Sequence, residues 1–401
     1  MKPFTIHNVT AILPDKLLPN ARVVVREGRI AEVSASSKRM PKDAVLVDGQ
    51  DGYLSPGFVD VHVHGGGGGD FMDGTTDAVR VACQTHFKHG TTTMFPTTTT
   101  GTPEEIHAMI AACQAIGKET AAGGLPRIPG IHLYGPFFAA DKVGAHPAAG
   151  RRDPTPEEFR AYFKTGFIRI ATCAAELPGA AAFYQMARKE GCFITCGHSN
   201  ASWSEMDRAF RAGMRHVDHY WCAMSCVSSV RARLGTPMQG SMEEYVLFNP
   251  GMSTEVIADG QHLAPELLLF ANRMIGPKRL FLVTDSSRAV DMPIGQYKIG
   301  NIHTGNDITH DGKVSRTATG LGSSSVGMDH MVRTMKASTG APLWEVIRMA
   351  SLTPAERLGI DKVVGSLKAG KRADLVLFSK TLRVKKVWLG DNAPLESVPL
   401  L

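Results

Sequence analysis

Eight runs of strand length, apolar or rich in threonine, alternate with segments of helical period through the middle of this 401-residue chain. The strand candidates are 58–64, 91–97, 128–134, 168–174, 193–198, 216–221, 255–262 and 280–286; the helices between them include 77–88, 103–116, 156–164, 180–189, 204–211 and 265–274. Repeated strand-then-helix order over this length leaves two architectures, a (β/α)8 barrel and a doubly wound open sheet. The glycines after the first strand do not lead directly into a helix, so the phosphate-cradling signature of the open sheet is missing and the barrel is expected.

Both chain ends read differently. Residues 21–33 form a strand, a Gly turn and a strand, and 373–378 and 383–389 repeat the pattern near the C-terminus. Neither end could bury a core alone. The expectation is one small β-sandwich domain from residues 1–55 and 362–401 around a catalytic barrel of residues 56–361; two separate appendages are the alternative. Residues 228–241 read as a loop, a lid or a subunit contact, and 320–325 as a flexible loop before a helix at 328–336.

Composition excludes several classes. Charged residues make up 20% of the chain, and the net charge of +6 is scattered, with no basic block interleaved with aromatics, so a nucleic-acid partner is not expected. No stretch is long and apolar enough to span a bilayer, and the N-terminus lacks an apolar signal core. The seven cysteines are an odd number, and Cys83, Cys173, Cys192 and Cys196 sit in apolar segments. Buried thiols in a reducing, cytoplasmic protein fit this better than disulfides.

The chemistry collects at strand ends. The first strand closes on His62-Val-His64 before five glycines. Alternate residues share a face, so both imidazoles point the same way and can chelate one divalent ion. Two ordinary histidines on a strand is the bland alternative. The other strand ends carry His132 with Tyr134, His198, His216 with His219, Asp259 with His262, and Asp285. Barrel enzymes draw their reactive groups from the C-terminal ends of several strands. His132 and His216 are expected to be satisfied core histidines; the recurrence of the others carries the weight.

On residues 56–68, 197–201, 219–224, 257–262, 282–285, 352–356 and 365–376, the chain resembles the amidohydrolase superfamily, and within it the N-acetylglucosamine-6-phosphate deacetylases. The resemblance covers nearly the whole chain. It implies that His62, His64, His198 and His219 ligate metal, with Asp285 as a further ligand that takes a proton from the attacking water and returns it to the leaving amine. It implies that His262 polarises the amide carbonyl, that His146 contacts the sugar phosphate or ring hydroxyls, and that backbone near Ala223 lines the substrate pocket. A divalent metal, zinc above all, an amino-sugar substrate and a homodimer follow from the same likeness.

The chain also departs from that family. The deacetylases carry a metal-ligating glutamate in the third strand, and here the residue is Tyr134. Two dications about 3.5–4 Å apart need bridging anions, so one ion is expected rather than two; Tyr134 is then free to donate to substrate. The family's asparagine after strand six is Cys222, and its phosphate-binding arginine motif is not legible, although Arg231 falls near its place. Three readings follow. The first is a deacetylase of N-acetylglucosamine 6-phosphate or a relative. The second is a single-metal amidohydrolase or deaminase acting on another amide or imine. The third is a non-catalytic sugar-binding descendant, against which the retained histidines and Asp285 argue.

Overall fold

The computed structural model describes residues 2–35, 43–119 and 124–391. Its eight central strands are Phe58–Val63, Thr91–Pro96, Ile131–Leu133, Ile168–Thr172, Phe193–Cys196, His216–Val217, Ser253–Val256 and Leu280–Leu282. The last six pair in chain order as a parallel sheet, and the first two pair with each other. Parallel bridges Thr93–Arg127 and Thr97–His132 join the two sets. At the far edge the Asp285 amide donates to the His62 carbonyl at 2.8 Å, and the His64 amide to the Ser286 carbonyl at 2.9 Å. The eighth strand therefore returns to the first and the sheet closes into a barrel, which removes the open-sheet alternative.

Most strands are shorter than the apolar runs suggest. Pairing covers three residues of 128–134 and two of 216–221. For the fifth, sixth and eighth strands the cause is local: His198, His219 and Asp285 have φ of 46°, 22° and 42°, in the left-handed region that no ladder accommodates. The chain turns at these residues as it leaves the barrel. Outside, helices Pro103–Gly117 and Pro156–Phe163 begin with proline behind the capping threonines Thr102 and Thr155. The former buries Ile106, Met109, Ile110 and Cys113 against the barrel.

Two segments expected to be loops are not. Within 228–241 the chain forms a helix, Val227–Leu234, with Ser229 closing on the Cys226 backbone. Only Val230 of that helix is buried, so the segment carries no apolar period to read. Leu321–Ser324 is a strand in a four-stranded antiparallel sheet with Gly295–Ile299, Asn306–His310 and Val314–Arg316, inserted after the eighth barrel strand. Its Gly-Ser composition has low strand propensity, and cross-strand pairing overrides it.

The chain ends share one separate sheet domain. Its six strands run in the order Val384–Trp388, Leu375–Phe378, Val45–Pro56, Phe4–Ile12, Leu17–Arg26, Arg29–Ala35. Phe4, Ile6, Val23, Val25, Leu54 and Leu375 form its own apolar core. Residues 1, 36–42 and 392–401, which the expectation assigned to this domain, lie outside the described residues. All seven cysteines are free and five are buried. Among the described residues no helix is long and apolar enough to cross a membrane.

A buried ion pair joins the two parts. Arg127, before the third barrel strand, places Nη1 2.7 Å from both carboxylate oxygens of Asp374, which is 3% exposed at its side chain. Asp374 also accepts the Gly390 amide at 2.7 Å, and its carbonyl accepts the Gly57 amide at 2.8 Å. Removing one member of such a pair strands the other charge. Asp374→Ala is expected to lower stability by about 3–5 kcal/mol, read as a fall in the denaturant midpoint by circular dichroism.

Candidate active site

The turn that ends the first barrel strand leaves His62 and His64 fully buried, with their rings 5.2 Å apart. Each ring is held by its Nδ1 edge. His62 Nδ1 lies 2.6 Å from Glu255 Oε1, and His64 Nδ1 lies 3.2 Å from the Thr97 carbonyl. A ring that donates from Nδ1 presents a lone pair at Nε2. The two Nε2 atoms face Asp285 Oδ1, at 3.6 Å from His62 and 3.2 Å from His64, and neither has a hydrogen-bond partner. Two orphaned lone pairs and a carboxylate oxygen, all buried, repel one another unless a cation sits among them. These are the donor atoms that zinc and its neighbours select, so the residues present fit a divalent metal.

The electrostatics agree. Burial opposes charge on His62, but Glu255 and Asp285 outweigh it and push the group up to about 9. A proton and a metal ion would thus compete for this negative pocket. Burial raises Asp285 too, yet His62 and His64 hold its carboxyl far below the usual range, so it is ionised. Burial drives His64 the other way, down from its ordinary value.

A second pair of imidazoles stands beside the first. His198 leaves the fifth strand with Nδ1 2.5 Å from the Lys142 carbonyl and its ring stacked 4.1 Å from Phe138. His219, 5.1 Å from His198 between ring centres, places Nδ1 2.9 Å from the Cys222 carbonyl. Its Nε2 is occupied by the Tyr134 hydroxyl. Burial and the nearby carboxylates hold that phenol well above its ordinary value, so it is a neutral O–H, not an anion.

A cavity of about 320 Å³ opens over this cluster. Asp285, His146, His198, His219, Cys222, Ala223 and His262 all line it. His262 is fixed from below: Asp259 Oδ2 lies 2.7 Å from its Nδ1, while Asp259 Oδ1 accepts the His262 and Gln261 amides at 2.8 Å. Two residues expected to contact substrate stand elsewhere. Tyr134 is fully buried beneath the cavity, its hydroxyl taken by His219. Arg231 lies exposed on the Val227–Leu234 helix, its Nη1 3.6 Å from Met238 Sδ. His132 and His216 are satisfied inside the barrel, His132 by the Val61 carbonyl and Thr172, His216 by Ser253 and Glu255.

Residues not singled out from the sequence complete the site. Lys142, Ile299, Leu321 and Ser323 line the cavity, the last three brought in by the inserted sheet. Glu255 bridges two histidines, with Oε1 on His62 and Oε2 3.2 Å from His216. A lone acid within a buried strand was the available signal. Glu255, His216 and Asp218 also form a cluster of donors, but Glu255 is spent on orienting the rings and Asp218 Oδ2 accepts from Thr172 and Thr195. Glu255→Gln is expected to weaken divalent-metal affinity about 10–100-fold, measured by competition with a chromogenic chelator.

The chain is similar to known deacetylases. An N-acetylgalactosamine-6-phosphate deacetylase of Escherichia coli O157:H7 is 32% identical over 366 residues, 90% of this chain and 92% of that one. An N-acetylglucosamine-6-phosphate deacetylase of Vibrio furnissii is 31% identical, covering 92% of this chain and 90% of its own length. The crystal structure of the Mycobacterium smegmatis N-acetyl-D-glucosamine-6-phosphate deacetylase superposes with a TM-score of 0.85 at 28% identity, over 98% of this chain and 99% of that one. With residues 53–394 matching the Amidohydrolase family and a histidine–aspartate cluster at the mouth of a closed barrel, the chain belongs to the amidohydrolase family.

Proposed function

We propose that this chain removes the acetyl group from an N-acetylated amino sugar, N-acetylglucosamine 6-phosphate or a close relative, with one divalent metal ion. The observation that carries the reading is the pair of orphaned Nε2 atoms of His62 and His64 facing an ionised Asp285 at a cavity whose other wall presents His262. The printed activities of the relatives supply the substrate class.

His62, His64 and Asp285 would hold the ion, and zinc suits this nitrogen and oxygen donor set. When bound, the ion supplies Lewis acidity toward water and the acyl carbonyl. The chain's own groups do the rest. Asp285, ionised and at the cavity wall, is placed to accept a proton from the attacking water and deliver it to the departing amine nitrogen. Asp259 holds His262 by Nδ1 and fixes the ring, leaving the Nε2 edge to meet the acyl oxygen, where an N–H would stabilise the negative charge that grows there. The stacked Phe138 and the Lys142 carbonyl keep His198 from rotating at the cavity wall.

The ion count rests on Tyr134. Its neutral hydroxyl occupies Nε2 of His219, and among the described residues His198 and His219 belong to no group of donors that includes a carboxylate of their own with which to hold a second cation. The phosphate is supported by Lys142, the one lysine or arginine among the described residues lining the cavity. The substitution of Tyr134 and the distance of Arg231 from the cavity favour a second reading, a single-metal amidohydrolase of another amide. Burial of unpaired cysteines supports a reducing cytoplasmic setting. A homodimer is supported by the exposed apolar side chains of Leu234, Met238 and Phe248; sedimentation as a monomer at micromolar concentration would remove that part.

One experiment separates the readings. The purified chain is assayed for metal content and for acetate release from N-acetylated hexosamines with and without a 6-phosphate. One equivalent of metal with turnover of the phosphorylated sugar is expected; two equivalents at full activity overturn the ion count. Tyr134→Glu is expected to raise the metal content toward two. Deacetylation seen only in that variant would give the natural chain to the second reading.

A further inference from the structure

A second cavity, of about 280 Å³, lies at the other end of the barrel. Phe193, the first residue of its strand, and Arg215, just before the His216–Val217 strand, line it. Parallel strands start at this face and finish at the candidate active site, so the two cavities are separated by the barrel interior. Arg188, from the last turn of helix Ala180–Lys189, and Arg357, which ends helix Leu352–Arg357, complete a wall of three guanidinium groups.

Little on the protein balances them. Among the described residues Glu356 is the one carboxylate lining the cavity, and its Oε2 is 2.5 Å from Arg348 Nη2. Arg215 gives its Nη1 to the Phe210 and Met214 carbonyls at 2.6 and 2.8 Å and lies 4.0 Å over the Phe210 ring, which holds the group in place without neutralising it. Among the described residues the side chains of Arg188 and Arg357 have no hydrogen-bond or ion-pair partner. Arg357 is half-buried; burial and the neighbouring Arg279 work against its charge, and Glu356 works for it. Favourable placement of cations at helix C-termini accounts for two of these arginines singly. It does not account for three converging on one hollow, where like charges repel.

We propose that this cavity binds a phosphate dianion, as the free ion or as a phosphate monoester. Planar guanidinium forks match phosphate oxygens in pairs, and those of Arg188 and Arg357 have no partner among the described residues. The site is distinct from the proposed substrate cavity and does not rest on the deacetylase reading.

The test is calorimetric titration of the metal-loaded full chain with inorganic phosphate at fixed ionic strength. The double variant Arg188→Gln/Arg357→Gln is expected to lose one phosphate site, with affinity there falling at least about tenfold, while its melting temperature and acetate release stay at the parent values. Arg188→Gln alone, at an exposed position, gives a weaker loss and keeps the test decisive where the double variant folds poorly. Competition by a hexose 6-phosphate assigns the site to esters, and failure to compete assigns it to the free ion. Phosphate binding that is absent from the parent, or unchanged in both variants, overturns the proposal.

Discussion

Two imidazole lone pairs and a carboxylate oxygen are held face to face at the base of the cavity, and the rest of the barrel mouth is arranged around that conflict. His62 and His64 cannot turn away. Glu255 grips one ring by Nδ1 and the Thr97 carbonyl grips the other, so both Nε2 atoms stay aimed at Asp285. A cation resolves the repulsion and becomes the natural occupant. The same carboxylate that supports His62 also bonds His216 one strand away, so the arrangement is supported from inside the barrel.

Barrel closure makes this meeting possible. His62 and Asp285 are more than 220 residues apart in the chain, yet the amide of one bonds the carbonyl of the other at 2.8 Å. The positive φ of His198, His219 and Asp285 turns each out of its ladder at the strand's C-terminal end. Such backbone conformations are unfavourable for residues with a Cβ and persist where surrounding contacts enforce them. Here the enforcing contacts are the ring hydrogen bonds themselves, from His198 to the Lys142 carbonyl and from His219 to the Cys222 carbonyl. At Tyr134 a neutral hydroxyl, not a carboxylate, stands against His219.

Legibility followed the length scale of the signal. Apolar runs separated by helical periods, and imidazoles at their ends, are local patterns, and they located the strands and the residues that gather at the cavity. The Val227–Leu234 helix was invisible because it buries one side chain, and the strand at Leu321–Ser324 because glycine and serine form it only when a partner strand is present. Arg231 shows the limit of reading by position. It falls in the expected stretch of sequence, but the helix carrying it turns the side chain to solvent beside Met238. Glu255 shows the opposite case, an acid inside a buried strand whose task depends on a histidine 193 positions away.

By itself the sequence determined the alternation of strand and helix, the β character of both chain ends, and which strand ends carry imidazoles and carboxylates. Each follows from periodicity or residue type over a few neighbouring positions. Only the tertiary structure decided that the eighth strand closes on the first, that Glu255 and Asp259 orient His62 and His262, that Tyr134 is buried against His219, and that three arginines share a hollow at the opposite face. Those outcomes depend on distances between groups far apart in the chain, and such distances exist only once the barrel has closed and fixed which faces meet.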